Sequence, residues 1–492
     1  MLYQTLSHTL KLAPHESPSS QPLTKNPQQL CYFLCQTLTK DPQQVWQTLN
    51  NFDYPKAYDR LLNWKKEYNG TYACLLEGAR RVGKSTIAEY FAQNEYKSYI
   101  KIDFANITDE LLDVFKDISR PDLFFLRLQA ETGVTLIERK SVIIFDEIQL
   151  YPKARQAIKY LVKDGKYDYI ETGSLISIKK NVKDILIPSE EYRIPVYPMD
   201  YEEFLWATGG NPDLIRTISN KNIAIGESTN RKLIRDFRIY MAVGGMPQAV
   251  EAYVNNKNFD FIDSIKQGII NLYLEDLKKI DGSGRLSDIY KSVPSQLALK
   301  KKRFVISAAT GKQRTKKDEE RLFDLIDSKI VLPCYDVTKP SLALSQTRNH
   351  ENFKLYMSDT GLFTTMLFHD DNGLHSDIYK KLLSDKLDTD MGYLFENSVA
   401  QILAATDRDL YYHTWKKPDS SHHYEIDFLV IHNHKVVPIE VKSSSVKKHA
   451  SLDQFAQKYS QYVGEQYLIS QKDVSNDHGI KFRPIYMLPF LL

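Results

Sequence analysis

One eight-residue stretch constrains the fold of this chain more than any other. It is the run Gly78-Ala79-Arg80-Arg81-Val82-Gly83-Lys84-Ser85, which fits the phosphate-binding pattern G-x-x-x-x-G-K-[ST] at every fixed position. Residues 72–77 before it are typical of a buried strand, and residues 85–91 after it are typical of the start of a helix. A strand, a glycine-containing loop and a helix in that order predict an α/β fold with an anion site on the loop.

The residue types in this loop predict how it binds a nucleotide. Gly78 and Gly83 let the backbone wrap round an anion, with N–H groups pointing at the β-phosphate. Lys84 is placed to reach the β- and γ-phosphates, and Ser85 is placed to hold Mg²⁺. We therefore expect ATP and Mg²⁺ to bind the loop residues Gly78, Ala79, Arg80, Arg81, Val82, Gly83, Lys84, Ser85 and Thr86.

An acidic pair follows another buried strand of the same region. The apolar run 141–145 predicts a strand, and Asp146 and Glu147 come directly after it. Downstream of a complete phosphate loop, such a pair is typical of the second half of a hydrolysing nucleotide site. We expect Asp146 to hold the Mg²⁺ shell and Glu147 to polarise the attacking water.

Two hydroxyl side chains, Thr172 and Ser174, follow the fourth predicted strand, residues 167–171. A hydroxyl at this position can sense the γ-phosphate from the neighbouring strand. Turn formation by Gly173-Ser174 explains the same residues equally well, and the sequence leaves both interpretations open. Strands that alternate with helices predict a parallel sheet with right-handed crossovers, so the nucleotide site is expected at the carboxyl ends of the strands.

Length and composition predict a cytoplasmic protein with several domains. The 492 residues correspond to about three domains, and 42% hydrophobic with 26% charged residues is ordinary for soluble proteins. No apolar run is long enough to span a membrane, and the four cysteines show no paired metal spacing. We expect an N-terminal extension, partly disordered, an ATPase domain, a mainly helical part and an end domain, with bounds 1–52, 53–205, 206–345 and 346–492.

The charge distribution makes DNA a candidate partner without requiring it. The net charge is only +3, so contact with a nucleic acid has to come from local patches. Two basic runs, residues 300–303 and 312–317, lie in the mainly helical part. Such runs are more often solvated faces than DNA contacts.

A pattern of a different kind occurs near the C-terminus, where residues 424–431 and 435–442 predict a hairpin. Strand alternation puts Glu440 and Lys442 on one face, and Asp427 on the partner strand is able to face them. Two carboxylates and a lysine on a sheet edge predict a Mg²⁺ site with a positioned base or charge stabiliser. Charges alternating on one strand are common, so the prediction depends on Asp427 and on Glu396 of the preceding apolar helix.

Five histidines lie in and around this hairpin. They fall in polar, turn-like stretches that lack the spacing of zinc ligands. We therefore expect surface positions for His413, His422, His423, His432 and His434.

From about residue 53 to its end, the chain resembles the bacterial and archaeal AAA-type ATPases that carry a C-terminal domain of unknown function. The C-terminal part is similar to PD-(D/E)xK, or restriction-endonuclease-like, nucleases. The resemblance implies an AAA-type P-loop NTPase core, a helical or winged-helix middle part and an α/β nuclease-like end domain. Residues 1–52 depart from the family pattern. The matching stretches occur in order at 76–86, 143–149, 172–174, 195–204, 242–247, 293–297, 356–362, 396, 425–427 and 439–442.

Three functions are compatible with these residues. The first is an ATPase coupled to a Mg²⁺-dependent nuclease acting on DNA, and the second is an ATP-driven switch that binds nucleic acid or a protein without cutting. The third is a scaffold ATPase with no nucleic-acid role. A domain that only binds has no chemical need for the set Glu396, Asp427, Glu440 and Lys442, which favours the first. Homo-oligomer formation stays open, and Arg193 is either an arginine finger or part of a structural ion pair.

Overall fold

The computed structural model describes residues 56–174, 188–311, 313, 315–368, 379–380, 382–384, 391–443 and 449–492. The expectations for the N-terminal extension lie outside these residues. The described chain contains two β-sheets, one of five strands and one of eight, with helices around and between them.

The five-stranded sheet contains the phosphate loop. All its strand pairs are parallel, and their order is β2-β3-β4-β1-β5, which confirms the predicted parallel core. Because the strands are parallel, the carboxyl ends of β1, β3 and β4 meet at one edge. The strands are β1 (Ala73–Gly78), β2 (Ser98–Asp103), β3 (Ser141–Asp146), β4 (Asp168–Ser174) and β5 (Glu191–Pro195).

Helices cover both faces of this sheet, which explains the continuous apolar run in its strand β3. In β3, Val142 and Ile144 belong to one hydrophobic cluster, whereas Ile143 and Phe145 belong to the other. Strand β3 is therefore buried on both sides, as expected of a strand inside a parallel sheet. The covering helices are α1 (Lys56–Tyr68), α2 (Lys84–Glu95), α3 (Asp109–Val114), α4 (Pro121–Thr132) and α5 (Pro152–Asp164).

The part of the chain that follows the first sheet is helical. Among the described residues, none of the helices combines the length and the hydrophobicity that a membrane span requires. These helices are α6 (Tyr201–Thr208), α7 (Pro212–Lys221), α8 (Glu227–Val243), α9 (Pro247–Val254), α10 (Phe259–Ile280), α11 (Arg285–Ala298), α12 (Ile306–Thr310) and α13 (Lys316–Asp327). Within the described residues, 3₁₀ turns lie at Phe115–Asp117, Ile148–Leu150, Leu344–Thr347 and Ile485–Phe490.

The eight-stranded sheet is mixed and has the order β12-β13-β11-β10-β9-β8-β6-β7. Helices α11 to α13 followed by β6 and β7 have the element order of a winged helix. Strand β6 also pairs with β8, so the expected boundary at residue 346 falls between two strands of one sheet. The strands are β6 (Val331–Val337), β7 (Arg348–Met357), β8 (Leu410–Lys416), β9 (His423–His432), β10 (Lys435–Val441), β11 (Gln466–Ser470), β12 (Ser475–Asp477) and β13 (Ile480–Pro484). The helices beside them are α14 (Thr360–Phe368), α15 (Gly392–Ala404) and α16 (Ala450–Lys458).

The predicted hairpin is formed by β9 and β10. Its loop has two residues, Asn433 and His434, with φ values of 48° and 56°. Two consecutive positive φ values are the pattern of a type I′ turn, whose twist matches that of the flanking strands. The turn fixes an antiparallel register in which Ile439 lies opposite Phe428, so that the next residues, Glu440 and Asp427, are brought side by side.

A glycine junction, formed by Met199, Gly245, Asp359 and Gly361, joins the first sheet to the second. The N–H of Met199 donates to the carbonyl oxygen of Gly245 at 2.8 Å, and the N–H of Gly245 donates to Oδ2 of Asp359 at 2.5 Å. A Cβ atom on Gly245 would lie 2.0 Å from the oxygen of Met199, and one on Gly361 would lie 2.3 Å from the oxygen of Val243. Only glycine therefore fits at these two positions.

Replacing Gly245 with alanine should destabilise the protein. Overpacking of this kind costs about 1–3 kcal/mol, because the added methyl group forces backbone apart. The matched control is Gly268→Ala, since Gly268 lies within α10 and its Cβ would meet nothing within 4 Å. Thermal unfolding should show a lower midpoint for Gly245→Ala and an unchanged or higher midpoint for Gly268→Ala. Equal midpoints for the two variants would contradict the close packing at the junction.

Candidate functional site

The loop between β1 and α2 has the backbone of an anion-binding loop. Gly83 has φ 94°, and Arg81 has φ 69°, which is uncommon for a residue other than glycine. Lys84 is buried, and its Nζ donates to the carbonyl oxygens of Gly78 at 3.2 Å and Ala79 at 2.8 Å. The ammonium therefore lies folded against the loop whose anion it is expected to bind.

Burial dominates the electrostatics of Lys84. Desolvation lowers the pKa of Lys84 to about 8, although the carboxylates of Glu147 and Asp146 favour its charged form. An ammonium that has lost its water is strongly attracted to a phosphate group. Of the other predicted loop residues, Ala79 and Val82 are buried in the hydrophobic core, whereas Arg81 and Thr86 are exposed.

Three of the predicted site residues meet at the carboxyl edge of the sheet. The hydroxyl of Ser85 donates to Oδ1 of Asp146 at 2.6 Å, and the hydroxyl of Thr172 donates to the same oxygen. The N–H of Glu147 donates to Oγ1 of Thr172 at 3.3 Å. Thr172 thus connects both acids, which is more than turn formation requires. Ser174 is the last residue of β4, and its side chain lies outside the described part of the chain.

Glu147 is held on a strained turn at this edge. Its φ is 53°, and strained backbone of this kind is concentrated at functional sites. The side-chain amide of Gln149 donates to Oε2 of Glu147. The carboxylate is therefore oriented by a neighbour instead of turning freely in solvent.

Sequence reasoning missed the residues that reach this site from elsewhere in the chain. Nζ of Lys101 lies 3.6 Å from Oδ2 of Asp146, and the hydroxyl of Tyr273 donates to the carbonyl oxygen of Arg80 at 2.7 Å. Arg80 also forms an ion pair with Asp276 of α10 at 3.1 Å. The phosphate loop is thus in direct contact with the helical part, through pairings that no local pattern indicates.

Arg193 forms ion pairs within its own chain. It lies 3.8 Å from Oε2 of Glu77 and 4.0 Å from Oε2 of Glu191, and its side chain is about half exposed. These contacts favour the structural interpretation of Arg193 over the arginine finger.

The predicted acids of the C-terminal hairpin form a second candidate site. Glu440 is buried, and its Oε1 lies 2.5 Å from Nζ of Lys442. Oδ2 of Asp427 accepts a hydrogen bond from the N–H of Val441 at 2.8 Å. The other oxygen of Glu440, Oε2, is buried and has no hydrogen-bond donor among the residues that the structure describes. An acceptor buried without a donor costs about 1–3 kcal/mol, which a bound cation would recover.

The three predicted carboxylates share one electrostatic environment. Burial raises the pKa of Glu440 to about 7, against the opposing charge of Lys442, and Asp427 raises it further. Burial also raises the pKa of Glu396 to about 7, against the opposing charge of Lys354, and Asp427 again raises it. The pKa of Asp427 is raised by burial as well, and Lys354 and Lys442 both oppose this. The sequence therefore identified groups that act on one another.

Lys354 on β7 belongs to this second site and was missed from the sequence. Its Nζ lies 2.6 Å from Oε1 of Glu425 and 3.9 Å from Oε2 of Glu396. The hydroxyl of Tyr356, two residues further along β7, donates to Oε2 of Glu396 at 3.3 Å. The signal for Lys354 was a single charge between Phe353 and Leu355, inside an otherwise apolar run.

Histidine and cysteine do not add to these two sites. Across the described ranges, no group of three or more histidine, cysteine, aspartate or glutamate side chains is arranged to hold a metal ion. The surface prediction is wrong for His413, which is buried with its ring nitrogens beside Val337 O at 2.6 Å and Tyr459 Oη at 2.9 Å. The reason is that His413 lies on an inward-facing position of β8, not in a turn. The remaining four are exposed or half-buried: His422, His423, His432 and His434.

Three protein-family models match successive parts of the chain. Residues 71–205 match an AAA domain, residues 234–373 match a domain of unknown function (DUF8612), and residues 391–487 match a domain of unknown function (DUF4143). The chain has a parallel sheet and fits the phosphate-loop pattern at every fixed position. Together with these features, the first match identifies an AAA-type P-loop ATPase domain.

Similarity to solved structures is weak, and no curated protein matches the chain. The Walker-type ATPase PABY2304 of Pyrococcus abyssi is 17% identical, with 64% of this chain and 95% of that chain covered and a TM-score of 0.41. Cdc6p from Pyrobaculum aerophilum is 13% identical, with 68% and 96% covered and a TM-score of 0.22. Protein VC1899 from Vibrio cholerae is 11% identical, with 85% and 96% covered and a TM-score of 0.17. With TM-scores this low, none of these similarities defines the fold or the function of this chain.

Proposed function

We propose that this protein hydrolyses ATP and that its C-terminal domain is a Mg²⁺-dependent nuclease acting on DNA. The observation that carries the second half is the buried Oε2 of Glu440, which has no hydrogen-bond partner among the described residues, in a carboxyl group whose pKa responds to Asp427 and Lys442. These groups lie on the eight-stranded sheet, whereas the phosphate loop lies on the other. The proposal therefore assigns two separate sites to one chain.

In the ATPase domain, each residue has a role that its contacts support. Lys84 would bind the β- and γ-phosphates. Ser85 and Asp146, whose Oγ and Oδ1 atoms lie 2.6 Å apart, would hold Mg²⁺, which would supply positive charge to neutralise the phosphate oxygens. Glu147 orients and polarises the attacking water, and Thr172 links Glu147 to Asp146 across the strand ends.

In the C-terminal domain, Asp427 and Glu440 fit the ligand set of Mg²⁺. This ion is commonly bound by one or two carboxylates and retains several waters, so a third protein ligand is not needed. When bound, Mg²⁺ would polarise the scissile phosphate. Lys442 places an ammonium beside that phosphate, and Glu396, fixed by Tyr356 and Lys354, orients the carboxylate cluster.

An ATP-driven switch that binds nucleic acid or a protein partner without cutting is the second candidate. The observation that favours it is the ion pair between Lys442 and Oε1 of Glu440, in which the lysine already has a carboxylate partner. A switch of this kind would use the C-terminal sheet only as a binding surface.

Two substitutions separate nucleotide binding from hydrolysis. Lys84→Ala should weaken ATP binding by about tenfold or more, because it removes a charge-assisted contact to the phosphates. Glu147→Gln should still bind ATP but release phosphate at least about 100-fold more slowly, because its carboxylate acts on water. Fluorescent-ATP binding and phosphate release measure the two effects. Normal turnover by Glu147→Gln would refute the role given to that residue.

Cleavage should depend on Lys442, whereas ATP hydrolysis should not. We expect the wild type to cut plasmid DNA with Mg²⁺ or Mn²⁺, and Lys442→Ala to lose about 100-fold or more of that activity. The matched control is Lys435→Ala, since Lys435 is exposed at the start of β10, at the opposite end of the strand that Lys442 follows. Phosphate release from ATP should be equal in all three proteins.

Two other results have different meanings. Loss of ATP hydrolysis in Lys442→Ala would indicate misfolding or a shared site. A wild type that cuts no nucleic acid with either metal, in the presence or absence of ATP, would refute the nuclease and favour the switch.

A further inference from the structure

The C-terminal site contains four carboxylates, which belong to Glu396, Glu425, Asp427 and Glu440. Its two lysines, Lys354 and Lys442, contact different numbers of them. Lys354 lies 2.6 Å from Glu425 and 3.9 Å from Glu396, so a single ammonium serves two acids. Nζ of Lys442 lies 2.5 Å from Oε1 of Glu440. The other oxygen of Glu440, Oε2, is buried and has no hydrogen-bond donor among the described residues, and the charge of Asp427 acts on the same carboxyl group. In one part of the site, the ammonium of Lys354 already contacts Glu425 and Glu396. In the other part, a buried oxygen of Glu440 has no donor among the described residues.

Lys354 is built into the protein as a fixed charge. Its side chain is about 7% exposed, and its Nζ lies 5.3 Å from the centre of the Tyr412 ring, within the range of a cation–π contact. Lys354 is on β7 and Glu425 is on β9, and strands β6 and β8 lie between them in the sheet. The long lysine side chain therefore extends over these strands to reach its partner. Burying an unpaired ammonium costs free energy. This cost keeps the ammonium of Lys354 in its ion pairs with Glu425 and Glu396.

We infer that Lys354 takes the place of a second cation, so that the C-terminal site binds a single divalent metal ion at Asp427 and Glu440. The inference rests on the cation site of the proposed nuclease and specifies its stoichiometry. Four carboxylates without Lys354 would offer two pairs of acidic ligands, which is the arrangement of a two-metal site. Because the ammonium of Lys354 already neutralises charge on Glu396 and Glu425, these two carboxylates do not need a metal ion.

Mn²⁺ binding to the nucleotide-free, full-length chain tests this directly. Free Mn²⁺ is measured by electron paramagnetic resonance during titration of the wild type, Lys354→Met, Lys354→Gln and Lys354→Arg. Ions retained by an Asp427→Asn/Glu440→Gln double variant belong elsewhere in the protein and are subtracted. Lys435→Met, which removes an exposed ammonium from β10, is the matched control.

The wild type, Lys354→Arg and Lys435→Met should each bind one ion, and Lys354→Met and Lys354→Gln should each bind two. A gain of binding is informative, because damage to the fold would only reduce it. Should Lys354→Met fail to fold, Lys354→Gln still decides, since its amide can donate to Glu425 without a charge. Two ions in the wild type, or one ion in a folded Lys354→Gln, would overturn the inference. No ion in the wild type would instead refute the cation site of the proposed nuclease.

Discussion

The buried carboxylate of Asp359 holds the two halves of this chain together. Its Oδ2 accepts the N–H of Gly245 at 2.5 Å, and its Oδ1 accepts the N–H of Leu362 at 2.7 Å. Gly245 in turn accepts from the N–H of Met199, which follows the last strand of the ATPase sheet. Gln401 of α15 donates to the carbonyl oxygen of Met199 at 3.2 Å. One buried network therefore fixes the ATPase sheet, the helical part and the C-terminal sheet against one another.

This network lies close to the phosphate loop in space, although its residues are far from the loop along the chain. The helix that begins at Pro247, two residues after Gly245, lies against the loop, since a Cβ on Gly83 would be 3.7 Å from Pro247 Cγ. On the other side, α10 contacts the loop through Tyr273 and Asp276. A nucleotide that changes the conformation of the loop would therefore act on helices that contact the C-terminal half. These contacts physically connect the proposed ATP site to the proposed C-terminal site.

Local patterns predicted residues that the structure brings together beside the phosphate loop, whereas they could not predict long-range contacts. The phosphate loop and the acidic pair are local signals, and the shared edge of a parallel sheet brings Lys84, Asp146 and Thr172 together. Strand alternation likewise predicted the neighbouring positions of Asp427 and Glu440. Lys354 was missed because its partner Glu425 is 71 residues away, and no periodicity encodes such a pairing. The sheet membership of β6 depends on β8 in the same way.

The proposed function requires two separate cation sites in one chain. A crystal of the protein with a non-hydrolysable ATP analogue and Mn²⁺, measured at the manganese absorption edge, locates the ions directly. We expect one anomalous peak between Ser85, Asp146 and the phosphates, and one beside the carboxylates of Asp427 and Glu440. A map with the nucleotide-linked peak but none at Asp427 and Glu440, under saturating Mn²⁺, would contradict the account.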